Sequence, residues 1–167
     1  CSPFILTAVS FWAGFFTVAS STREATTPSA ADGAAAATAS VCDWAAGATP
    51  PAPASIPYLL FVGLVKPHKN LRRLLLAFEA IAPMIPHRLI VVGRHTGLRG
   101  VDAAALALAR RLAPRVELLE CLPRAQLAEM VAGAELLIQP SLYEGFGLPP
   151  LEAMAAGTPV LAARAGA

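Results

Sequence analysis

The chain has 167 residues, 56% of them hydrophobic and 14% charged, a length that suits one domain or one domain with a tail. So apolar a composition excludes a disordered charged linker, and although part of the 56% is alanine, the 15 prolines and 12 glycines cluster without a period of three, which excludes collagen-like fibres. The net charge of +2 is uneven: residues 1–57 hold Arg23 against Glu24, Asp32 and Asp43, a net −2, whereas 12 basic and 8 acidic residues give 58–167 a net +4, with no basic run of the kind that binds nucleic acid.

Residues 3–19 (PFILTAVSFWAGFFTVA) are an uncharged apolar run with no basic segment before it, a little short for a spanning helix. It reads as a buried strand–helix piece, as a membrane or signal-like segment, or as an artefact of truncation. Residues 21–57 offer small residues and prolines but little to pack, so burial does not repay their ordering entropy. They read as a loop or linker with room for a short helix over 34–39. The expected division is therefore 1–57, an apolar start plus an Ala/Pro-rich linker, partly disordered or a remnant of a hinge region, and 58–167, a ligand-binding domain. Cys1, Cys42 and Cys121 are odd in number and widely spaced, without CxxC, which argues against a disulfide scaffold or a structural zinc site and leaves a reducing compartment as the default.

From Tyr58 the pattern alternates. YLLFV over Tyr58–Val62 is a buried strand ending at Gly63. Pro67 delays helix until Asn70, a candidate cap, and Leu71, Leu74, Leu75, Phe78 and Ile81 mark an amphipathic helix over 71–82 that Pro83 and Pro86 end. LIVV over 89–92 is a second strand closed by Gly93. Asp102 caps a helix over 103–112, stopped by Pro114. Val116–Leu119 is a third, weaker strand. A helix over 124–133 with Leu127, Met130 and Val131 on one side leads to a fourth strand over 135–139. Pro149 and Pro150 open a helix that Gly157 closes, and a fifth strand begins at Val160. Strands apolar throughout, alternating with helices, predict a doubly wound parallel α/β sheet of the Rossmann-like kind, here incomplete, preceded by an irregular N-terminal segment. Ligands of such sheets bind at the carboxyl ends of the strands, where the polar, glycine-rich segments 63–70, 93–100 and 141–147 fall.

The segment 140–160 (PSLYEGFGLPPLEAMAAGTPV) carries the chemistry. Gly145 and Gly147 loosen the backbone after Glu144, and the helix opening near Pro149 converges N–H groups and the positive end of its dipole on one point, an anion site. Glu152 stands one turn into that helix, offset from an inward face of Leu151, Met154 and Ala155. Phosphate needs donors and hydroxyls need carboxylates, so a nucleotide sugar would satisfy both; Glu152 reads otherwise as an ordinary first-turn glutamate. Lys66 and Lys69 follow the first strand, and a cation there would neutralise a diphosphate leaving group; a solvated basic loop is the plainer alternative, and Arg72 and Arg73 face outward. Arg94 and His95 follow the second strand, with a surface role equally open. Tyr143 and Phe146 flank the carboxylate loop, as loop packing or ligand contacts. His68 reads as a surface histidine, and His87 and Cys121 suggest no role. No HxxxH or close Asp pair occurs, so no metal and no other cofactor is expected, and neither GxxxxGK[ST] nor GxGxxG is present.

On these residues the chain resembles the donor-binding, C-terminal half of retaining glycosyltransferases with two Rossmann-like domains, the GT-B group 1 / family 4 enzymes that include bacterial mannosyltransferases. The resemblance covers residues 58–163. It is most specific at PS-x-x-EGFG and EAMA-x-G-x-PV, with Glu144 and Glu152 in E-x7-E, and less so at YLLFVGLVKPHKNL and LIVVGR. It implies transfer of a hexosyl group, with GDP-mannose the leaning, from a nucleoside-diphosphate sugar to a glycan or lipid-linked acceptor held by an N-terminal domain. It further implies that Glu152 bonds the donor ribose, that Glu144 meets the sugar hydroxyls and acts with Lys69 in catalysis, and that Lys69 contacts the diphosphate. Gly145, Phe146, Gly147, Leu148, Lys66, Gly63 and Arg94 would complete donor binding. Two positions depart from the family: Leu64 stands where an arginine is common, with Lys66 as the substitute, and Glu120 where glycine is frequent.

A start at Cys1 and a stop soon after the fifth strand lead to the expectation of a fragment of a longer enzyme. A cytoplasmic location, with peripheral association at the inner membrane face open, goes with it. The alternatives are a nucleotide-sugar epimerase-like enzyme and a non-catalytic nucleotide-sugar-binding remnant.

Overall fold

The computed structural model describes residues 16–19, as a strand, and 56–164. The expected linker and the short helix over 34–39 lie outside the described residues. The elements run β1 (Phe16–Ala19), β2 (Tyr58–Val62), α1 (Leu71–Ile81), β3 (Arg88–Val92), α2 (Ala103–Arg111), β4 (Val116–Leu119), α3 (Arg124–Gly133), β5 (Leu136–Gln139), α4 (Leu148–Ala155) and β6 (Val160–Ala163), with single 3-10 turns at Pro67–Lys69 and Ala82–Met84.

The sheet order is β1-β6-β5-β2-β3-β4. From β6 to β4 every pairing is parallel; β1 pairs antiparallel with β6, Phe16 opposite Ala163. Part of the apolar run at the start of the chain thus forms the edge of the same sheet. The chain steps outward from β2 through β3 to β4, then returns to the far side of β2 for β5 and β6. Right-handed crossovers put the helices of the two halves on opposite faces.

Side-chain alternation along the strands serves both faces. Leu59, Phe61, Leu89, Val91, Leu136 and Ile138 pack with Leu71, Leu74, Leu75 and Phe78 of α1 and Ala105, Leu106, Leu108 and Ala109 of α2. Tyr58, Leu60, Ile90, Val92 and Leu137 pack on the other side with Val131 of α3 and Ala153 of α4, joined by the partly buried Leu127 and Met130. A strand with both faces covered has no polar side, which is why these runs are apolar throughout. The weaker pattern of β4 has its reason in position: it is an edge strand, and only Val116 is buried.

The caps divide. The Asp102 carboxylate accepts from the Ala105 amide at 3.0 Å, as expected of an N-cap. Asn70 occupies the cap position of α1 but takes a left-handed conformation, φ 56°, and its side chain caps nothing. Instead its amide donates to the Pro140 carbonyl at 3.1 Å, a longer-range bond. The inward face of α4 also differs from the expected one. It centres on Ala153, fully buried, while Leu151, Met154 and Ala155 are only half-buried, because a short helix lying close to the sheet has room for a methyl group at its contact.

His87, which the sequence left without a role, is buried, with Nε2 at 2.8 Å from the Glu135 carboxylate. Beside it Arg115 donates to the carbonyls of Ala82, Ile85 and His87, fixing the turn before β3. These groups hold the amino ends of the strands.

At the carboxyl ends, Gly93 is under a steric constraint. A Cβ on it would stand 2.0 Å from the Gly63 carbonyl oxygen, at a φ of 154°. Gly145 has open space and no such φ. Gly93→Ala is therefore expected to cost about 1–3 kcal/mol and Gly145→Ala less than about 0.5 kcal/mol; denaturant unfolding checks this, and equal stabilities for the two variants would contradict it.

Candidate functional site

The strand order reverses between β2 and β5, so the loops following these two neighbours open side by side at the sheet's carboxyl edge. Three contacts tie them. The Leu142 amide donates to the His68 carbonyl at 2.7 Å, Asn70 donates to Pro140, and the Lys69 ammonium lies 2.7 Å from both oxygens of Glu144. The 3-10 turn Pro67–Lys69 delivers the lysine, and its aliphatic stem passes Gly63, where a Cβ would approach Lys69 Cδ to 3.8 Å.

Glu144 is enclosed further. Ser141 donates from its hydroxyl to Oε1 at 2.5 Å, and the Gln139 amide donates to the same oxygen and to Ser141 Oγ at 3.2 Å. Burial alone would push the Glu144 carboxyl up. The hydrogen bonds from Lys69 and Ser141, the Lys69 charge and the Gln139 amide outweigh it, so the group is held below the ordinary carboxylate value. It is an ionised acceptor, suited to hydroxyl groups rather than to proton donation.

After Glu144 the chain passes the exposed Gly145 and Phe146, and reaches Gly147, which takes φ 71° as the N-cap residue of α4. The helix begins at Leu148; Pro149 and Pro150 in its first turn carry no N–H, which leaves the Leu148 and Leu151 amides as its leading donors. Glu152 is half-buried on this helix. Tyr143 and Phe146 are 60% and 76% exposed, so loop packing is not their role here; with Leu142 and Leu148 they leave apolar surface open beside the carboxylate.

The structure thus brings Lys69, Glu144 and Gly63 together, with Gly145, Phe146, Gly147 and Leu148 along the loop that leaves them. Lys66 is half-buried and Arg94 exposed; neither side chain makes an ion pair among the described residues. Arg94 belongs to the adjacent loop, its carbonyl accepting from the Val65 amide at 3.3 Å. Glu120 bonds the Thr96 amide at 3.0 Å and lies 3.4 Å from His95 Nε2, fastening the loop after β3. Arg72 and Arg73 are exposed, as expected. Gln139 and Ser141 were not singled out as site residues. The available signal was Gln139 itself, the one polar residue of an otherwise apolar strand (LLIQ).

An open cavity of about 350 Å3 lies at the opposite edge of the sheet, lined by Ile56, Pro86, Arg88, Pro114 and Arg115. Its arginines are committed, Arg88 to Glu117 and Arg115 to backbone carbonyls, and it holds no carboxylate–cation pair aimed at a ligand. The carboxyl edge, where Lys69 meets Glu144, is the candidate site. Among the described residues no group of three or more His, Cys, Asp or Glu gathers as a metal site, and no helix is long and apolar enough to cross a membrane.

A family model for glycosyl transferases group 1 matches residues 49–167. The chain belongs to that family. Among relatives of this glycosyltransferase chain, D-inositol 3-phosphate glycosyltransferase of Segniliparus rotundus is 40% identical over 109 residues, covering 64% of this chain and 24% of the relative. O-antigen chain mannosyltransferase B of Escherichia coli is 36% identical over 110 residues, 62% of this chain and 28% of the relative. The chain therefore spans about a quarter of the length of these curated relatives. Among solved structures, Anabaena HepE in complex with UDP-glucose superposes with a TM-score of 0.59 at 26% identity, over 67% of this chain and 31% of that one. The sheet is one half of a GT-B fold.

Because the folded-state Glu144 carboxyl lies below its ordinary value of 4.5, the stability it contributes is present above that value and is lost as pH falls through the folded one. Glu144→Gln is expected to flatten the loss of unfolding free energy on acidification just below pH 4.5. Urea unfolding across that range checks it, and identical slopes in variant and parent would contradict it.

Proposed function

We propose that this chain is the donor-binding part of a retaining glycosyltransferase that moves a hexosyl group from a nucleoside-diphosphate sugar to a glycan or lipid-linked acceptor. The observation that carries the reading is the Lys69–Glu144 contact at the switch in strand order, with an α-helix N-terminus following directly. A cation, an ionised acceptor and the backbone amides of the loop that leads into the helix support the reading together, because a sugar diphosphate is a ligand that uses all three.

The residues divide by chemistry. Lys69 faces the diphosphate, with Lys66 and Arg94 as further cations along the edge. Glu144 accepts from sugar hydroxyls, and the amides of Gly145 and Gly147 with those opening α4 at Leu148 hold phosphate or sugar oxygens. Glu152 accepts from the ribose. Gly63 lies beside the Lys69 stem, and Phe146 offers an apolar wall. In the reaction the bond from the anomeric carbon to the diphosphate oxygen breaks and a bond from that carbon to an acceptor hydroxyl forms. The hydroxyl's proton leaves with the diphosphate, whose developing charge Lys69 offsets.

Mannose from GDP-mannose is the leaning for the donor, in keeping with the family resemblance and with the Escherichia coli mannosyltransferase among the relatives. The acceptor is held by a second domain across the cleft. The same reading places the reaction in the cytoplasm, at the inner face of the membrane.

Hydrogen exchange of the chain with saturating GDP-mannose or UDP-glucose tests this. Slowed exchange over residues 144–152 is expected, and exchange unchanged with both would overturn the reading. Glu152→Ala is expected to weaken binding of the donor by about 1–3 kcal/mol, measured calorimetrically; equal affinity would remove Glu152 from the site.

A further inference from the structure

We infer that Gln139 is a positioning residue whose side-chain amide, at the end of β5, fixes one oxygen of Glu144 independently of Lys69 and so keeps the other oxygen for the ligand. The inference rests on the donor-site reading above for what the ligand is, but the positioning itself is a property of the chain's own side chains.

The two oxygens of Glu144 are unequally held. Oε1 collects three donors, from Lys69, Ser141 and Gln139. Oε2 has Lys69 alone, at 2.7 Å. If Lys69 turns to a diphosphate, Oε2 is vacated while Oε1 keeps two neutral donors that an anion does not draw away. Both come from buried residues, Gln139 at 3% and Ser141 at 1% exposure. Without them Glu144, with a side chain 22% exposed, would lose its fixed direction and much of what offsets its burial.

Gln139 is also poorly placed for stability. Leu136, Leu137 and Ile138 of the same strand are apolar and buried. The Gln139 amide oxygen is buried with no hydrogen-bond partner, a destabilising state for a buried acceptor. Exchanging its oxygen and nitrogen would set an acceptor against the Glu144 carboxylate, so Glu144 dictates the orientation. A side chain that leaves its own oxygen unsatisfied in order to donate to a carboxylate serves that carboxylate rather than the core.

Ligand-free carboxylate carbon NMR of the 167-residue chain tests the positioning. Lys69→Met alone should raise the Glu144 titration midpoint in part. Adding Gln139→Met, of similar length and apolar, should raise it again by about tenfold in proton affinity. Gln139→Leu provides a second variant with the same expectation. Either single Gln139 variant should melt near the parent's temperature, the relief of the unpartnered amide oxygen offsetting the weaker hold on Glu144, yet bind GDP-mannose or UDP-glucose about tenfold more weakly. A midpoint in the double variant equal to that of Lys69→Met would overturn the inference, as would an affinity loss that merely follows a drop in melting temperature. Absence of any binding by the parent chain would overturn the donor reading instead, and the titration would still decide the role of Gln139.

Discussion

The contact between Lys69 and Glu144 joins residues 75 positions apart, and it exists because the strand order reverses between β2 and β5. Neighbouring parallel strands lie about 5 Å apart, so loops leaving their carboxyl ends share one crevice. The other contacts between the two loops follow from that reversal. The Leu142–His68 and Asn70–Pro140 bonds close the two loops on each other. The close approach of Gly93 to Gly63 packs the next loop against them, and α4 starts directly after the carboxylate loop.

The two ends of the sheet do different work. At the amino ends, His87 pairs with Glu135 through Nε2 while its Nδ1 is buried without a partner, and Arg115 fixes a turn through three carbonyls. At the carboxyl ends, polar groups are gathered in excess of what folding needs. A carboxylate with three different donor residues, an amide oxygen without a partner and large exposed apolar side chains at Tyr143 and Phe146 are costs to a domain on its own, and they fall where a ligand of such a sheet would bind. The amino ends carry comparable costs in His87 Nδ1 and the exposed Met84; what sets the carboxyl ends apart is an ionised carboxylate that a lysine, a serine and a glutamine all hold.

Much of the fold was legible in the sequence because its signals are local. Apolar runs gave β2 to β6 to within a residue or so, prolines and Asp102 bounded the helices, and the motif around Glu144 and Glu152 pointed to the carboxyl edge and to the family. The rest depended on contacts between distant segments. Asn70 looked like a cap, yet its side chain reaches Pro140. The inward face of α4 falls on Ala153 because closeness to the sheet, not side-chain size, decides it. Gln139 stood out as the one polar residue of its strand, but its bond to Glu144, like that of Ser141, is a local contact that depends on how the loop turns back. The edge strand β1 lies in an apolar run that gave no period to read.

A crystal structure of the chain with a bound nucleoside-diphosphate sugar measures the central claim most directly. The expected result is a phosphate oxygen within about 3.2 Å of Lys69 Nζ, sugar hydroxyls on Glu144, and Gln139 still bonded to that carboxylate. A sugar nucleotide bound away from the β2–β5 crevice, or one bound there with Lys69 and Glu144 both untouched, would contradict it.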